Sequence, residues 1–121
     1  MTFDTGVLIG LERRRDRAWR IFRRLREHAV HVVVPIVVVG EWWRGRTDVR
    51  EDILAAVVVE PASVELMKAA GEALAAVKGA TLVDAVVMAS AARRNDTVLT
   101  TDDGDLERLR RFFPGTRVLA L

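Results

Sequence analysis

Four carboxylates stand at the ends of predicted strands or on the helices that follow them: Asp4, Glu41, Asp84 and Asp102. Asp105 and the hydroxyl of Thr100 lie close to the last of them in sequence. Carboxylates that converge on one pocket repel each other and raise one another's pKa, and a hard divalent cation removes that cost. Mg²⁺ prefers oxygen ligands and commonly acts with substrate phosphates, and bound Mg²⁺ or Mn²⁺ can activate a water for in-line attack. The acidic set therefore indicates a metal site for phosphoryl chemistry.

Each acid also has a purely structural explanation. Asp4 and Asp102 can be N-caps of the helices that follow them, and Asp84 can be a favourable charge near a helix N-terminus. Glu41 interrupts an apolar segment, so we expect it to be buried, and a buried carboxylate is costly unless it is paired or bound to metal. Arg44, three residues later on the same predicted helix, is the alternative partner.

The elements that must position these acids alternate along the chain between short β-branched runs and longer helical ones. The predicted strands are Thr2–Phe3, His31–Val34, Val57–Val59, Thr97–Thr100 and Arg117–Leu119, and the predicted helices are Arg17–Arg26, Ile36–Arg44, Ser63–Val77, Leu82–Arg94 and Asp105–Arg111. Every strand is apolar on both faces, as in a parallel sheet covered by helices on both sides. We therefore predict one domain, residues 1–121, with a three-layer α/β/α sandwich around a mainly parallel sheet of about five strands. Ligands of such sheets bind beyond the carboxyl ends of the strands.

Composition narrows the class of protein. The chain has 121 residues, half of them hydrophobic, and no cysteine, which excludes disulfides and thiolate metal sites and favours a cytoplasmic location. No basic, apolar leader precedes Asp4, and the longest apolar runs are shorter than the ~20 residues that span a bilayer. We therefore expect a soluble protein with no membrane contact.

Arginine is concentrated near the N-terminus, although the net charge is only +2. Eight arginines lie between residues 13 and 26, among them Arg20 and Arg24. Such a cluster is either a phosphate-binding face or the solvated face of an amphipathic helix. The sequence leaves both explanations open.

Four blocks together resemble the PIN-domain family. They are Asp4-Thr5-Gly6-Val7-Leu8-Ile9, Pro35-Ile36-Val37-Val38-Val39-Gly40-Glu41, Leu82-Val83-Asp84-Ala85-Val86-Val87-Met88-Ala89-Ser90-Ala91 and Val98-Leu99-Thr100-Thr101-Asp102-Asp103-Gly104-Asp105-Leu106. Each block alone is weak, but their order and spacing match over nearly the whole chain. The small size, with no appended domain, is similar to the VapC toxins of that family.

The resemblance implies a PIN-like fold and a Mg²⁺- or Mn²⁺-dependent endoribonuclease, usually dimeric and silenced by a cognate antitoxin. Asp4, Glu41, Asp84 and Asp102 match the family's acidic quartet, Asp105 an auxiliary acid and Thr100 a hydroxyl near the site. The cluster Asp102-Asp103-Gly104-Asp105 departs from the pattern, although the offset of Asp103 indicates that it does not replace a neighbour. The alternatives are a PIN nuclease of RNA maturation and a catalytically silent PIN scaffold.

Residues next to Glu41 are candidates for contacts with RNA or an antitoxin. Trp42 and Trp43 point about 100° apart on a helix, so we expect one to be core and the other to be more exposed. Arg44 and Arg46 can hold phosphates or lie on the surface without a role. We expect Arg20, Arg24 and the exposed tryptophan to flank the mouth of the site. A phosphoacceptor receiver domain is disfavoured because Glu60, not an aspartate, ends the third strand and no lysine ends the fifth.

Overall fold

A computed structural model describes all residues of the chain, 1–121. Five strands form one sheet: β1 Thr2–Phe3, β2 Val33–Pro35, β3 Val58–Glu60, β4 Thr97–Thr100 and β5 Arg117–Ala120. All pairings are parallel and the strand order is β3-β2-β1-β4-β5. The central strand β1 pairs with both neighbours, Thr2 opposite Val33 on one side and Phe3 opposite Leu99 on the other.

This strand order creates a topological switch beside β1. The chain runs outward from β1 to β3 on one side, and then crosses to β4 on the other. In open parallel sheets the connections at such a point diverge, and they leave a crevice beyond the carboxyl ends of the two strands. The residues that follow β1 and β4 are Asp4 and Thr101-Asp102.

Seven helices accompany the sheet: α1 Thr5–Glu12, α2 Asp16–Glu27, α3 Ile36–Trp42, α4 Asp48–Ala55, α5 Val64–Ala76, α6 Leu82–Arg93 and α7 Gly104–Leu109. The predicted three-layer α/β/α fold is confirmed. No helix is both long and apolar enough to cross a membrane.

Local chemistry explains where the principal helices begin. The side chains of Asp4, Thr47, Ser63 and Thr81 each accept a hydrogen bond from a backbone N–H in the first turn of the following helix. Such capping contributes about 1 kcal/mol per helix. Pro35 ends β2 and precedes the first residue of α3, where its fixed φ suits the turn into a helix.

The core lies on both sides of β1. Phe3 packs edge-to-face against Phe22 of α2, with ring centroids 6.0 Å apart. Helix α6 is the most enclosed, since every residue from Ala85 to Ala91 is buried. Such burial on all sides fits a helix between the sheet and its neighbours α5 and α7.

Three expectations from the sequence were wrong in detail. Helix α4 was not predicted, and α1, the helix that Asp4 was expected to cap, was given no bounds, although it buries Val7, Leu8 and Leu11. The outer strands are not buried on both faces, because β3 and β5 are edge strands and Val58 and Leu119 are 50% and 49% exposed. The helix predicted to reach Arg44 ends at Trp42, where the backbone of Trp43 becomes extended.

Candidate active site

The crevice beside β1 contains an acidic cleft of about 180 Å³. Its lining residues come from four parts of the chain: Asp4, Thr5, Gly6, Glu41, Val83, Asp84, Thr101, Asp102 and Asp105. The structure thus brings together all four carboxylates singled out in the sequence, together with Asp105. Asp103 does not line the cleft, in agreement with its offset in the sequence.

Asp4 connects the cleft to the core of the sheet. Its backbone N–H donates to the carbonyl of Leu99 at 3.2 Å, so the β1–β4 ladder holds the residue in place. Its Oδ1 accepts from Val7 N–H at 3.3 Å and caps α1, while Oδ2 accepts from the Thr100 hydroxyl. The capping explanation is therefore correct for Asp4, and it is compatible with a place in the cleft.

Thr100 is the buried support of the cleft. Its hydroxyl donates to Asp4 and accepts from the backbone N–H of Asp102 at 3.1 Å. The side chain is fully buried at the end of β4. One hydroxyl therefore holds the first and the last acid of the quartet, which are 98 residues apart in sequence.

Glu41 reaches the cleft by a route that the sequence did not indicate. It is exposed rather than buried, and it accepts a hydrogen bond from the hydroxyl of Thr5 at 2.5 Å. Arg44 is not its partner, because the guanidinium donates to the carbonyl oxygens of Trp43 and Gly40 at the end of α3. The expectation that Glu41 is buried was thus wrong and the alternative pairing with Arg44 is absent, although Glu41 does lie in the acidic cleft.

Two of the acids have raised pKa values. Burial raises the pKa of Asp4 from 3.8 to about 6, against hydrogen bonds from Thr100 and Val7, and the charge of Asp84 adds to the rise. Burial also raises the pKa of Asp84, and the charges of Asp105, Glu41 and Asp102 act in the same direction. The cleft therefore holds more negative charge than its own hydrogen bonds can stabilise.

Gly6 keeps the cleft compact. A Cβ atom at this position would lie 2.0 Å from the Thr101 hydroxyl oxygen, far inside van der Waals contact. Any side chain at residue 6 must therefore displace Thr101 from the cleft wall. Sequence reasoning missed Thr5, Gly6 and Thr101 as parts of the site. Only their positions in the sequence could have indicated them, since Thr5 and Gly6 directly follow Asp4 and Thr101 directly precedes Asp102.

The donor set suits a hard divalent cation. It offers carboxylate and hydroxyl oxygens with no nitrogen or sulfur ligand. A cation would offset the burial and, after it, the repulsion that raise the pKa of Asp84. No group of three or more Asp, Glu or His side chains is arranged closely enough to hold a metal ion by itself. Mg²⁺ commonly keeps several waters and uses only one or two carboxylates directly, so the wider spacing is compatible with it.

The other candidate residues lie outside the cleft. Trp42 is 3% exposed and belongs to the core, whereas Trp43 is half-buried, so the expectation of one core tryptophan is confirmed. Arg46 pairs with Asp48 at 3.1 Å, both being exposed. Arg20 and Arg24 are exposed on α2 and do not line the cleft.

Comparison with known proteins agrees with this geometry. The family described as PIN domain matches residues 1–111 of the chain. Among curated proteins, no significant match was found. The family match covers strands β1 to β4 and every acid of the cleft, and the chain therefore belongs to the PIN-domain family.

Proposed function

We propose that this protein is an endoribonuclease that uses Mg²⁺ or Mn²⁺ at the acidic cleft and acts as the toxin of a toxin–antitoxin pair. PIN domains are generally metal-dependent nucleases, and the match over residues 1–111 supports this general class of activity for the chain. The observation that carries the proposal is the convergence of five carboxylates on one cleft at the topological switch.

Each residue of the cleft has a proposed task. Asp4, Glu41, Asp84 and Asp102 would hold the cation, one or two of them directly and the others through its bound waters, with Asp105 assisting. Thr100 orients Asp4 and Asp102 through its hydroxyl. When bound, the cation lowers the pKa of a water and stabilises the leaving oxygen of the phosphodiester. The Thr5 hydroxyl restrains Glu41, which no other side chain holds.

The decisive test is cleavage of RNA by the purified chain. We expect Mg²⁺ or Mn²⁺ to support endonucleolytic cuts in single-stranded RNA, and excess EDTA to abolish them, because the proposed reaction depends on the cation to activate the water and to stabilise the leaving oxygen. Cleavage products are separated on denaturing gels, with Asp103→Asn as a control that removes an acid outside the cleft. Full cleavage in EDTA would refute the metal role, and inactivity with both ions would favour the silent scaffold.

The antitoxin part of the proposal is supported by a groove of about 530 Å³ between α2 and α4. It is lined by the aromatic rings of Trp19 and Phe22, by three arginines, Arg14, Arg23 and Arg26, and by two carboxylates, Asp16 and Asp52. Aromatic and arginine residues dominate the energetic centres of protein interfaces. A partner segment with apolar residues and carboxylates fits this groove. Arg20 and Arg24 lie on α2 but do not line it, so the structure favours Arg23 and Arg26 over them.

We expect Arg23→Glu/Arg26→Glu and Trp43→Ala each to weaken the complex with the product of the neighbouring reading frame, by about 2 kcal/mol or more. For comparison, Arg20→Glu/Arg24→Glu makes the same change of charge at α2 residues that do not line the groove. The measurements are co-purification and growth arrest on induction, with and without the partner. Binding as tight as wild type in all three folded variants would show that α2 and Trp43 are not the interface.

The same induction experiment separates the toxin role from RNA maturation. Growth arrest without the partner supports the toxin, whereas accumulation of unprocessed RNA after deletion of the gene supports maturation. A cytoplasmic location and a homodimer are parts of the same proposal. The oligomeric state is measured by light scattering.

A further inference from the structure

A second groove, of about 550 Å³, lies beside the acidic cleft. It runs between the end of α5 and the far side of α7, and its lining residues are Ala76, Val77, Lys78, Glu107, Arg108, Arg111 and Phe112. Arg108 connects the two sites, because it lines the groove and forms an ion pair with Asp105, which lines the cleft. A ligand that leaves the cleft past Asp105 therefore reaches this groove next.

The groove has the opposite charge to the cleft. Three of its side chains are cations, and its one carboxylate, Glu107, is held by Arg110 at 3.2 Å. Lys78 and Arg111 take part in no ion pair. A polyanion that is repelled by bare carboxylates in the cleft therefore finds cations available beside it.

The guanidinium of Arg108 is held in a defined place. It lies 3.4–3.5 Å from the carbonyl oxygens of Lys78 and Gly79 and pairs with Asp105. Gly79 has a φ of +82°, and a Cβ there would lie 2.9 Å from Arg108 Nη1. Glycine thus permits both the turn and the close approach of the guanidinium.

Phe112 adds an aromatic surface at the same groove. Its side chain is 37% exposed, and its ring packs edge-to-face on Phe113 with centroids 5.1 Å apart. Phe113 in turn packs against the hydrophobic core, so the exposed ring is supported from behind. An anchored aromatic ring beside unpaired cations is the combination that binds single-stranded nucleic acid, by stacking on bases and contacting phosphates.

We propose that this groove binds the single-stranded RNA segment next to the cleavage position, with phosphates at Lys78 and Arg111 and a base stacked on Phe112. The inference rests on the proposed ribonuclease function and deepens it. It makes the groove a determinant of substrate length, since an RNA too short to leave the cleft gains nothing from these residues.

The test compares binding and cleavage for RNAs of two lengths. The binding probe is a fluorescein-labelled single-stranded RNA of about 12 nucleotides, titrated in EDTA at several salt concentrations by fluorescence anisotropy. We expect Phe112→Leu to raise Kd about tenfold, within the range for lost stacking of one base. Lys78→Glu/Arg111→Glu should raise Kd at least as much and reduce the slope of log Kd against log salt by about 1.4, at ~0.7 per phosphate contact.

The matched control is Lys68→Glu/Arg117→Glu, which removes one exposed lysine and one exposed arginine outside both sites. It should leave Kd within about twofold, and all variants should cleave a trinucleotide at the wild-type rate with metal. Wild-type Kd in the groove variants would overturn the inference and leave the groove to another ligand, such as an acidic protein segment. Equal loss in the control, or loss on the trinucleotide, would also overturn it. If the wild type binds RNA through the groove yet never cleaves it, the proposed function fails while the groove assignment stands.

Discussion

Asp4→Asn is expected to reduce RNA cleavage about a hundredfold or more while making the metal-free protein more stable. The loss of activity follows because metal chemistry supplies several kcal/mol of transition-state stabilisation and Asp4 is the most central acid of the cleft. The gain in stability follows because burial raises the pKa of Asp4 from 3.8 to about 6, so the ionised form is disfavoured in the folded state. Asparagine removes that charge and its one side-chain oxygen can still cap α1, although its amide nitrogen no longer accepts the hydrogen bond from Thr100.

The gain in stability of Asp4→Asn over the wild type must increase as the pH rises. Between about pH 4 and 6 the folded protein binds more protons at Asp4 than the unfolded chain, so wild-type stability falls as pH rises through this window. Above about pH 6 the wild type carries the full cost of the buried Asp4 charge, and Asp4→Asn should be more stable by ~2 kcal/mol. Near pH 4 the difference should almost vanish.

Urea unfolding in EDTA at pH 8 and pH 4 measures both quantities, with cleavage assayed separately in Mg²⁺. Asp103→Asn is the matched control, since it makes the same substitution in an exposed acid outside the cleft. If the variant cleaves RNA like the wild type, Asp4 takes no part in the reaction. A variant that is less stable than wild type at pH 8 would show that the hydrogen bonds of the Asp4 carboxylate to Val7 and Thr100 outweigh the cost of its buried charge.

The gathering of the acids could be predicted because it depends on topology more than on contacts. Parallel strands end at the same edge of a sheet, so Asp4 and Asp102, which follow β1 and β4, had to meet once the strands were recognised. Asp84 was predictable from the capping Thr81, which places it in the first turn of α6. The central layer of the fold followed from the same alternation of strands and helices.

The parts that could not be predicted depend on contacts between distant residues. Glu41 was expected to be buried, yet it is exposed and is restrained by Thr5, 36 residues away. The bounds of α1 were not predicted because Thr5–Glu12 is mostly apolar and lacks a clear polar face. The groove around Arg108 forms where the Lys78-Gly79 turn contacts α7. No local sequence pattern predicts this contact.

Thr100→Val is expected to have the second largest effect, through two neighbours rather than through contact with substrate. Valine has nearly the same shape but leaves the N–H of Asp102 without its acceptor and Asp4 without its buried donor. An unsatisfied buried group costs about 1–3 kcal/mol, so we expect a loss of stability of that order. Groups that orient metal ligands typically contribute 10–100-fold to activity, and cleavage should fall by about that factor.

Thr100→Val also tests how the pKa of Asp4 is controlled. The Thr100 hydrogen bond lowers that pKa against the stronger effect of burial, so its removal should raise the pKa above about 6. Carboxyl NMR titration of the metal-free protein measures the shift, and Thr100→Ser, which keeps the hydroxyl, should restore both the pKa and most of the cleavage. A valine variant with an unchanged Asp4 pKa and wild-type cleavage would mean that the hydroxyl does not position the acids. An equal loss of stability and activity in the serine variant would instead assign the role of Thr100 to its methyl group and its packing at the end of β4.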